Sequence, residues 1–306
     1  MARAVGLGSL AGCAILAFGS CNLNFAAAQP LARPAADASS PARPPVVRPP
    51  VLVRQAADFA LTGQQIQGGW LRGFAPAGTQ SLSLGSRPVE VEPDGSFFVA
   101  FDRDAGPSTE LVARRGDLPV VRRTLAIAPR AWQIEHVNAP FRPGGLADAD
   151  FARKRAGELA AINASRAQST DATGWRQTFA WPLRGAIRGR FGAQRIYQGK
   201  PGSYHGGLDI AGAEGTPFNA PADGVVVLAA SAPFTLEGNL LIVDHGSGLS
   251  SAFLHASRLA VRTGDRVRQG QLIGWVGKTG RATGPHLHWA LKWRESKLDP
   301  LLFVQP

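Results

Sequence analysis

The chain has 306 residues, of which 33 are Lys or Arg and 22 are Asp or Glu, so its net charge is +11 at neutral pH. This length predicts two domains with buried cores, and a hydrophobic content of 44% excludes a disordered chain. The two cysteines, Cys13 and Cys21, both lie near the N-terminus. Their position excludes a disulfide scaffold and any cysteine-ligated zinc or iron–sulfur site in the body of the protein.

Residues 1–28 have the pattern of an export signal. Arg3 is the only charged residue in this segment, an apolar stretch covers residues 10–25, and three alanines at 26–28 form a site of the type that signal peptidase cleaves. Cleavage there predicts a mature chain with a charge of +10 and no thiol. The apolar stretch is too short and too interrupted to predict a membrane span.

A lipid anchor is the competing interpretation of the same segment. Residues 10–13 read LAGC, which is the pattern of a lipobox. However, too few residues precede Cys13 for a complete apolar region. Simple cleavage of the signal is therefore the favoured prediction, and lipidation the alternative.

A linker and a β-rich domain are predicted next. The composition of residues 29–54, which includes seven of the prolines of the chain, predicts an extended linker. Residues 55–138 contain short apolar runs, such as 81–84 and 97–101, separated by Gly, Asp and Pro. This pattern predicts a small β-sandwich-like accessory domain, with a hairpin turn at 93–95.

The second half of the chain predicts a helix and then another β domain. Within a linker at 139–178, the Ala-rich segment 146–168 carries a thin apolar stripe and predicts a connecting helix. Residues 179–306 return to β-branched and apolar runs between glycine-rich turns. These runs are residues 225–228, 240–243, 251–255, 271–276 and 286–289. The predicted fold class is therefore mainly β.

Five of the six histidines lie in this last domain, and they carry the chemistry. In the sequence HGGLD at 205–209, two glycines allow a sharp turn that would bring His205 and Asp209 together. In a strand, His286 and His288 would share one face, because side chains alternate between faces. Imidazole and carboxylate groups are zinc ligands, and a catalytic zinc site uses three of them and leaves a position for water.

His205, Asp209 and one histidine of the 286/288 pair would supply those ligands. The remaining histidines, with His255 at the end of another apolar run, could then transfer protons or stabilise an oxyanion. Each motif alone is weak, and five unrelated surface histidines are the alternative. The number of histidines in glycine-rich settings within one domain favours a site.

From residue 181 to residue 300 the sequence resembles the lysostaphin/LytM-type zinc metallopeptidases, which cleave peptide cross-links in bacterial cell walls. The matching segments are 181–182, 190–192, 204–210, 215–226, 238–239, 243–246, 254–255, 264–267, 270–274, 277–280, 283–288 and 298–300.

The resemblance implies a duplicated-hybrid-motif fold, an antiparallel β-sheet groove with the metal on its floor. It implies that His205, Asp209 and His288 bind one Zn²⁺ per chain and that His255 and His286 are the catalytic pair.

Several nearby residues are expected to be structural. Phe253 stands where the family usually has a tyrosine, which leaves the zinc ligands unchanged. A supporting role is favoured over catalysis for His245. Packing is favoured over sugar binding for three tryptophans, Trp275, Trp289 and Trp293. The lone His136 of the accessory domain is not expected to be a ligand.

The expected function is a secreted zinc endopeptidase acting on peptidoglycan, in the periplasm or associated with the cell envelope. A non-enzymatic wall-binding factor that activates a separate murein amidase is the alternative, disfavoured because all five positions are filled. A histidine phosphocarrier of similar sheet architecture is disfavoured by the export signal and by Asp209. Nucleic acid is not an expected partner, because no base-reading motif is visible. The accessory domain is expected to position or regulate the enzyme, with zinc still bound after its deletion.

Overall fold

Short apolar runs dominate the sequence, and the computed structural model is accordingly built mainly from antiparallel β-strands. This confirms the predicted fold class. The structure describes residues 57–139 and 149–305, so the predicted export signal at 1–28 and linker at 29–54 lie outside the described residues. The described residues belong to one compact unit, Pro50–Pro306. None of the helices among them is long and apolar enough to cross a membrane.

The N-terminal part of this unit contains two small sheets. Its strands are β1 (Ala60–Gly63), β2 (Trp70–Phe74), β3 (Ser81–Leu84), β4 (Arg87–Val89), β5 (Ser96–Ala100), β6 (Ser108–Arg115), β7 (Leu118–Ala126) and β8 (Ile134–Val137). One sheet has the order β1-β2-β5 and the other β4-β3-β6-β7. The two sheets correspond to the predicted sandwich-like arrangement.

The predicted hairpin around residues 93–95 is wrong. The strands on either side of the turn belong to different sheets, because β4 pairs with β3 and β5 pairs with β2. Both faces of β5 are covered: Phe97 packs edge-to-face on Phe59, and Phe98 packs on Trp293 from the C-terminal part. Strand β5 is thus buried on both faces and pairs with β2. The residues of the turn at 93–95 do not indicate this pairing.

The one α-helix among the described residues, α1 (Ala149–Arg166), lies between the two parts along the chain and corresponds to the predicted helix at 146–168. Its Ile162 joins a small apolar cluster on one face of the large sheet. Its Glu158 accepts hydrogen bonds from the backbone N–H and the hydroxyl of Thr235, both at 2.6 Å. The helix is therefore fixed to the sheet by apolar packing and by side-chain hydrogen bonds.

The C-terminal part is centred on an eight-stranded antiparallel sheet. The strands of the whole C-terminal part, eight of which form this sheet, are β9 (Ile187–Gly189), β10 (Gln194–Tyr197), β11 (Lys200–Pro201), β12 (Leu208–Ala211), β13 (Pro217–Asn219), β14 (Gly224–Ala229), β15 (Asn239–Asp244), β16 (Leu249–Ala256), β17 (Arg258–Leu259), β18 (Arg266–Val267), β19 (Leu272–Trp275), β20 (His286–Trp293) and β21 (Ser296–Leu298). The order of the large sheet is β18-β14-β15-β16-β20-β12-β9, with β21 paired to β20. The apolar runs predicted in this part correspond to β14, β15, β16, β19 and β20.

The two parts are joined by pairing and by packing. Strand β8 pairs in parallel with β10 of the C-terminal part. Phe98 packs against Trp175, and Trp70 lies 5.3 Å from Phe303, measured between ring centroids. The parts thus share one continuous hydrophobic core. The predicted domain boundaries stay a prediction.

Candidate active site

The register of two neighbouring strands places the predicted ligands together. Asp209 of β12 lies directly opposite His288 of β20, and His205 immediately precedes β12. Among the described residues, these three side chains form a group whose ligand atoms lie within 4.8 Å of one another. His205 and Asp209 therefore converge with a residue that follows them by about 80 positions.

Strand β20 alternates as the sequence predicts. His286 and His288 are half-buried on one face, whereas Leu287 and Trp289 are fully buried on the other. The histidine pair thus faces the open side of the sheet, and the apolar residues between them anchor the strand in the core.

Two glycines are needed because atoms approach closely at the site. A Cβ on Gly207 would lie 2.7 Å from Nε2 of His288, and a Cβ on Gly189 would lie 2.3 Å from Oδ2 of Asp209. The backbone of Gly207 does not have a positive φ angle. Lack of a side chain, rather than the turning freedom that the sequence analysis assumed, is thus what the site requires at this position.

The three converging atoms fit a tetrahedral metal ion. Nε2 of His205 lies 3.1 Å from both Oδ1 of Asp209 and Nδ1 of His288, and the last two atoms are 2.8 Å apart. Ligand atoms around zinc, with bonds of about 2.1 Å and tetrahedral angles, are separated by about 3.4 Å. The observed spacing is close to this value, and two imidazoles with one carboxylate are a donor set that zinc uses.

The backbone around His205 sets which nitrogen faces this centre. Nδ1 of His205 donates a hydrogen bond of 3.0 Å to the carbonyl of Arg190, so Nε2 of the neutral ring has its lone pair towards Asp209. Burial works against the charged form of His205, but its hydrogen bond to Asp209 outweighs this effect and raises its pKa.

The other two groups of the centre are also shifted by their surroundings. Burial acts to raise the pKa of Asp209, yet its hydrogen bonds to His205 and His288 dominate and hold that pKa well below the usual range. Burial lowers the pKa of His288. Asp209 is thus held as a carboxylate and His288 as a neutral imidazole, the forms in which both groups bind a metal cation.

His255 reaches the site through an irregularity in its strand. Two residues of β16, Leu254 and His255, oppose the single residue Leu240 of β15, which is a β-bulge. Regular alternation would place Leu254 on the face of His288 and His255 on the opposite face. The φ angle of His255 is +64°, a left-handed conformation that is uncommon outside glycine. This conformation turns the ring of His255 towards His286.

The rings of His255 and His286 lie 4.9 Å apart, measured between centroids. Nδ1 of His255 donates to the carbonyl of Thr279 and Nδ1 of His286 donates to the carbonyl of Gly284, each at 2.8 Å. In the neutral rings, Nε2 is therefore the atom that can accept a proton. Nε2 of His286 lies 3.7 Å from Oδ1 of Asp209, which places the pair beside the ligand group. Burial lowers the pKa of His255, so this ring is neutral at pH 7 and able to act as a base.

The remaining histidines lie outside this constellation. His136 is exposed on β8. His245 is fully buried, donates from Nδ1 to the carbonyl of Asp223 and accepts at Nε2 from the hydroxyl of Ser251. These contacts are those of a structural residue.

The aromatic residues near the site pack in the core, as expected from the sequence. Phe253, Trp289 and Trp293 are fully buried, and Phe253 stacks on Phe218 at 5.5 Å. Trp275 is half-buried beneath the guanidinium of Arg258. Buried rings cannot serve as an open platform for a sugar.

Sequence reasoning missed the backbone groups that orient the histidines. The carbonyls of Arg190, Thr279 and Gly284 fix the three imidazoles, but any residue provides a carbonyl, so no side-chain pattern marks them. The bulge at His255 also has no marker, because a positive φ angle is usually signalled by glycine or asparagine.

Comparison with known families agrees with this geometry. Residues 203–300 match the family described as Peptidase family M23. This chain contains an M23 domain. The matched range contains all five residues of the candidate site, which are His205, Asp209, His255, His286 and His288.

Two curated proteins show the extent of the similarity. The M23 domain is similar to the peptidoglycan DD-endopeptidase ShyA of Vibrio cholerae, with 44% identity over 87 residues, 28% of this chain and 20% of that protein. The similarity to the cell division protein DipM of Caulobacter vibrioides is 36% over 128 residues, 42% of this chain and 20% of that protein. The chain thus spans about a fifth of the length of these relatives.

A solved structure extends the likeness in fold beyond the M23 domain. A crystal structure of a peptidase M23 from Pseudomonas aeruginosa covers 79% of this chain and 95% of its own, with a TM-score of 0.61 and 24% identity. At this identity the likeness concerns the fold alone. It includes more of the chain than the M23 domain, so the arrangement around that domain also has a counterpart.

Proposed function

We propose that the protein is a secreted, zinc-dependent endopeptidase that hydrolyses peptide cross-links or stem peptides of bacterial peptidoglycan. The observation that carries this proposal is the convergence of Nε2 of His205, Oδ1 of Asp209 and Nδ1 of His288 within 3.1 Å, with two further histidines beside them. Three groups with lone pairs directed at one point repel one another unless a cation or a proton lies between them. Their donor types and spacing favour one zinc ion per chain.

The proposed mechanism divides the residues into two sets. His205, Asp209 and His288 would hold the metal, which supplies Lewis-acid chemistry by polarising the peptide carbonyl and activating water. Nε2 of His255 would accept the proton of the attacking water, because burial lowers the pKa of this ring and so keeps it neutral at pH 7, and Nδ1 is engaged with the carbonyl of Thr279. In its protonated form, Nε2 of His286 would donate a hydrogen bond to the carbonyl oxygen and stabilise the charge that develops there, and His255 would return the proton taken from water to the leaving amine.

The substrate class rests on the relatives and on charge. ShyA and ShyC, both from Vibrio cholerae, are named peptidoglycan DD-endopeptidases and are 44% and 45% identical to the M23 domain over 87 and 85 residues. Stem peptides of the cell wall carry carboxylates, and the net charge of the chain, which is +11 and becomes +10 when the predicted signal with Arg3 is removed, favours such anionic substrates. A substrate of this type is located in the cell envelope, which agrees with the export signal predicted at 1–28.

The test is digestion of cross-linked peptidoglycan by the purified, zinc-loaded protein, followed by chromatography and mass spectrometry of the released muropeptides. We expect cleavage by the wild type, none by His288→Ala, and a strong decrease with His255→Asn. Asn tolerates the left-handed backbone at this position but cannot transfer the proton. His136→Ala is the matched control, because this histidine is exposed and lies outside the site.

Intact peptidoglycan after incubation with the zinc-loaded wild type would refute the proposal. Stimulation of a separate murein amidase by the wild type and by His288→Ala alike would instead support the non-enzymatic alternative. Cleavage products identified by mass define whether the bond lies in a cross-link or within a stem.

A further inference from the structure

Arg103 is a buried cation of the N-terminal part, and it contacts a turn of the C-terminal part that lies just before the M23 domain. It follows β5, and only 6% of its surface is exposed. Nε and Nη2 both donate to the carbonyl of Gly192, at 3.1 and 3.0 Å, and Nη2 also donates to Oε1 of Gln194 at 3.0 Å. Nη1 donates to Asp104 at 2.6 Å. The guanidinium is thus directed mainly at the backbone of a turn in the C-terminal part.

That turn, residues 190–193, holds His205 at three atoms. The carbonyl of Arg190 accepts from Nδ1 of His205, and the backbone N–H of Gly192 donates to the carbonyl of His205 at 2.9 Å. The backbone N–H of His205 donates to the carbonyl of Ala193 at 2.8 Å. The position of the turn therefore sets both the backbone and the ring of His205.

Aromatic rings complete the enclosure of Arg103. Its guanidinium lies 5.1 Å from the ring centroid of Trp132 and 4.7 Å from that of Tyr204, the residue preceding His205. Trp132 also covers Gly192, where an added Cβ would lie 2.2 Å from the indole ring. Arg103 and Trp132 thus both contact Gly192 of the turn that holds His205.

Stability alone gives little reason for an arginine here. A buried cation loses hydration, and apolar residues of similar size often replace buried charges at no cost in stability. What an apolar residue cannot provide is a planar fork with two donors on one carbonyl. Groups that orient a metal-binding histidine affect metal binding even though they do not touch the metal.

We propose that Arg103 is a positioning residue of the metal centre. By fixing the carbonyl of Gly192, it holds the turn so that the carbonyl of Arg190 stays against Nδ1 of His205, which keeps the lone pair of Nε2 aimed at Asp209 and His288. This inference depends on the metal-binding part of the proposed function. It assigns to the N-terminal part a role in zinc affinity, whereas the sequence predicts only a positioning or regulatory role for that part, with zinc still bound after its deletion.

The experiment compares zinc affinity of the full chain, measured by competition with a chromophoric chelator. Arg103→Met should weaken zinc binding by about 10-fold, the lower end of the effect of groups that orient a ligand. Arg103→Lys, which keeps one donor but not the fork, should recover part of the loss. The absorption spectrum of the Co²⁺-loaded Arg103→Met protein should differ from that of the wild type, because the ligand field changes when His205 moves.

Arg72→Met is the matched control. Arg72 also comes from the N-terminal part, stacks on Trp70 at 4.4 Å and donates to backbone carbonyls of the C-terminal part, those of Arg176 and Gln177. It holds a different segment, so its variant should lose stability to a similar extent and bind zinc with wild-type affinity.

Wild-type zinc affinity and an unchanged Co²⁺ spectrum in folded Arg103→Met would overturn the inference. If that variant does not fold, the same results in Arg103→Lys would overturn it. An equal loss of affinity in Arg72→Met would also do so, because it would indicate general destabilisation. A wild type that binds zinc but leaves peptidoglycan intact would refute the proposed function alone. A wild type that binds no zinc would refute both.

Discussion

His245 should make the folded protein sensitive to mild acid although it lies outside the metal centre. Its ring is fully buried, packs edge-to-face on Phe179 at 4.9 Å and has both nitrogens engaged. Protonation of Nε2 would oppose the hydroxyl of Ser251, which already accepts from Nε1 of Trp289 at 3.3 Å. Burial accordingly lowers the pKa of His245 from 6.5 to about 4.

The sign and size of the effect follow from proton linkage. Between pH 6.5 and pH 4 the unfolded chain binds a proton at this residue and the folded chain does not, so acid favours unfolding. The stabilisation is complete above pH 6.5 and is lost as the pH falls through this range. The loss from pH 7.5 to pH 5 is about 2 kcal/mol, and the full difference below pH 4 is about 3 kcal/mol.

The assay is urea unfolding followed by tryptophan fluorescence at pH 7.5 and pH 5, with zinc removed by a chelator from every sample. His245→Gln keeps one donor and one acceptor but does not titrate. It should be less stable than the wild type at pH 7.5, and its free energy of unfolding should decrease by about 2 kcal/mol less than that of the wild type on acidification.

The wild type and His245→Gln contain the same metal-centre histidines, so their titration cancels in the comparison. His136→Gln, at an exposed histidine, should follow the wild type. An equal pH dependence in the wild type and His245→Gln would refute the reasoning, because the buried ring would then not be the source of the acid sensitivity.

Three further substitutions test the site and its supports. Gly189→Ala should weaken zinc binding by at least about 10-fold in the chelator competition assay, because the new Cβ would lie 2.3 Å from Oδ2 of Asp209. His255→Asn should lower kcat by about 10²- to 10⁴-fold in a muropeptide assay and leave the zinc content unchanged, because it removes only proton transfer. Arg155 donates to both carboxylate oxygens of Glu237, whose carbonyl accepts from the backbone N–H of His255. Arg155→Met should therefore destabilise the protein by about 2 kcal/mol in urea unfolding and lower kcat with little change in zinc affinity.

Matched substitutions give the controls for this set. Gly206→Ala is the control for Gly189→Ala, since its Cβ would only touch the side chain of Lys297 at 3.4 Å. Arg153→Met is the control for Arg155→Met, because Arg153 is exposed. Equal zinc affinity in the two alanine variants, loss of zinc in His255→Asn, or an unchanged kcat in Arg155→Met would contradict the corresponding prediction.

The sequence predicts the parts of the site that depend on local patterns. Alternation along a strand places His286 and His288 on one face, and β20 shows that alternation. The glycines after His205 predict its approach to Asp209, and the two side chains do meet. These parts of the metal-binding group could thus be predicted from short segments, because alternation along a strand and closeness along the chain do not depend on pairing between distant strands.

The parts that depend on pairing between distant strands could not be predicted. The bulge that turns His255 towards His286 arises where β16 pairs with β15, and nothing in the local sequence marks it. The same limit applies to β5, whose predicted hairpin partner is replaced by β2. In both cases the register of a sheet, set by long-range burial, decides the outcome.

Two ionic supports reach the site from outside the matched range 203–300. Arg103 binds the turn that holds His205, and Arg155 binds both carboxylate oxygens of Glu237, at 2.6 and 2.7 Å. The carbonyl of Glu237 in turn accepts from the backbone N–H of His255 at 2.8 Å. One support thus acts on a proposed zinc ligand and the other on a proposed base.

Arg103 and Arg155 each act on the backbone beside a site histidine. Substitution of either arginine would therefore leave the five site residues unchanged but alter the orientation of their side chains. The two losses should be distinguishable, since one acts on metal affinity and the other on turnover. We therefore expect the five residues to be necessary for the proposed chemistry and the segments before residue 203 to be needed to hold them in the required geometry.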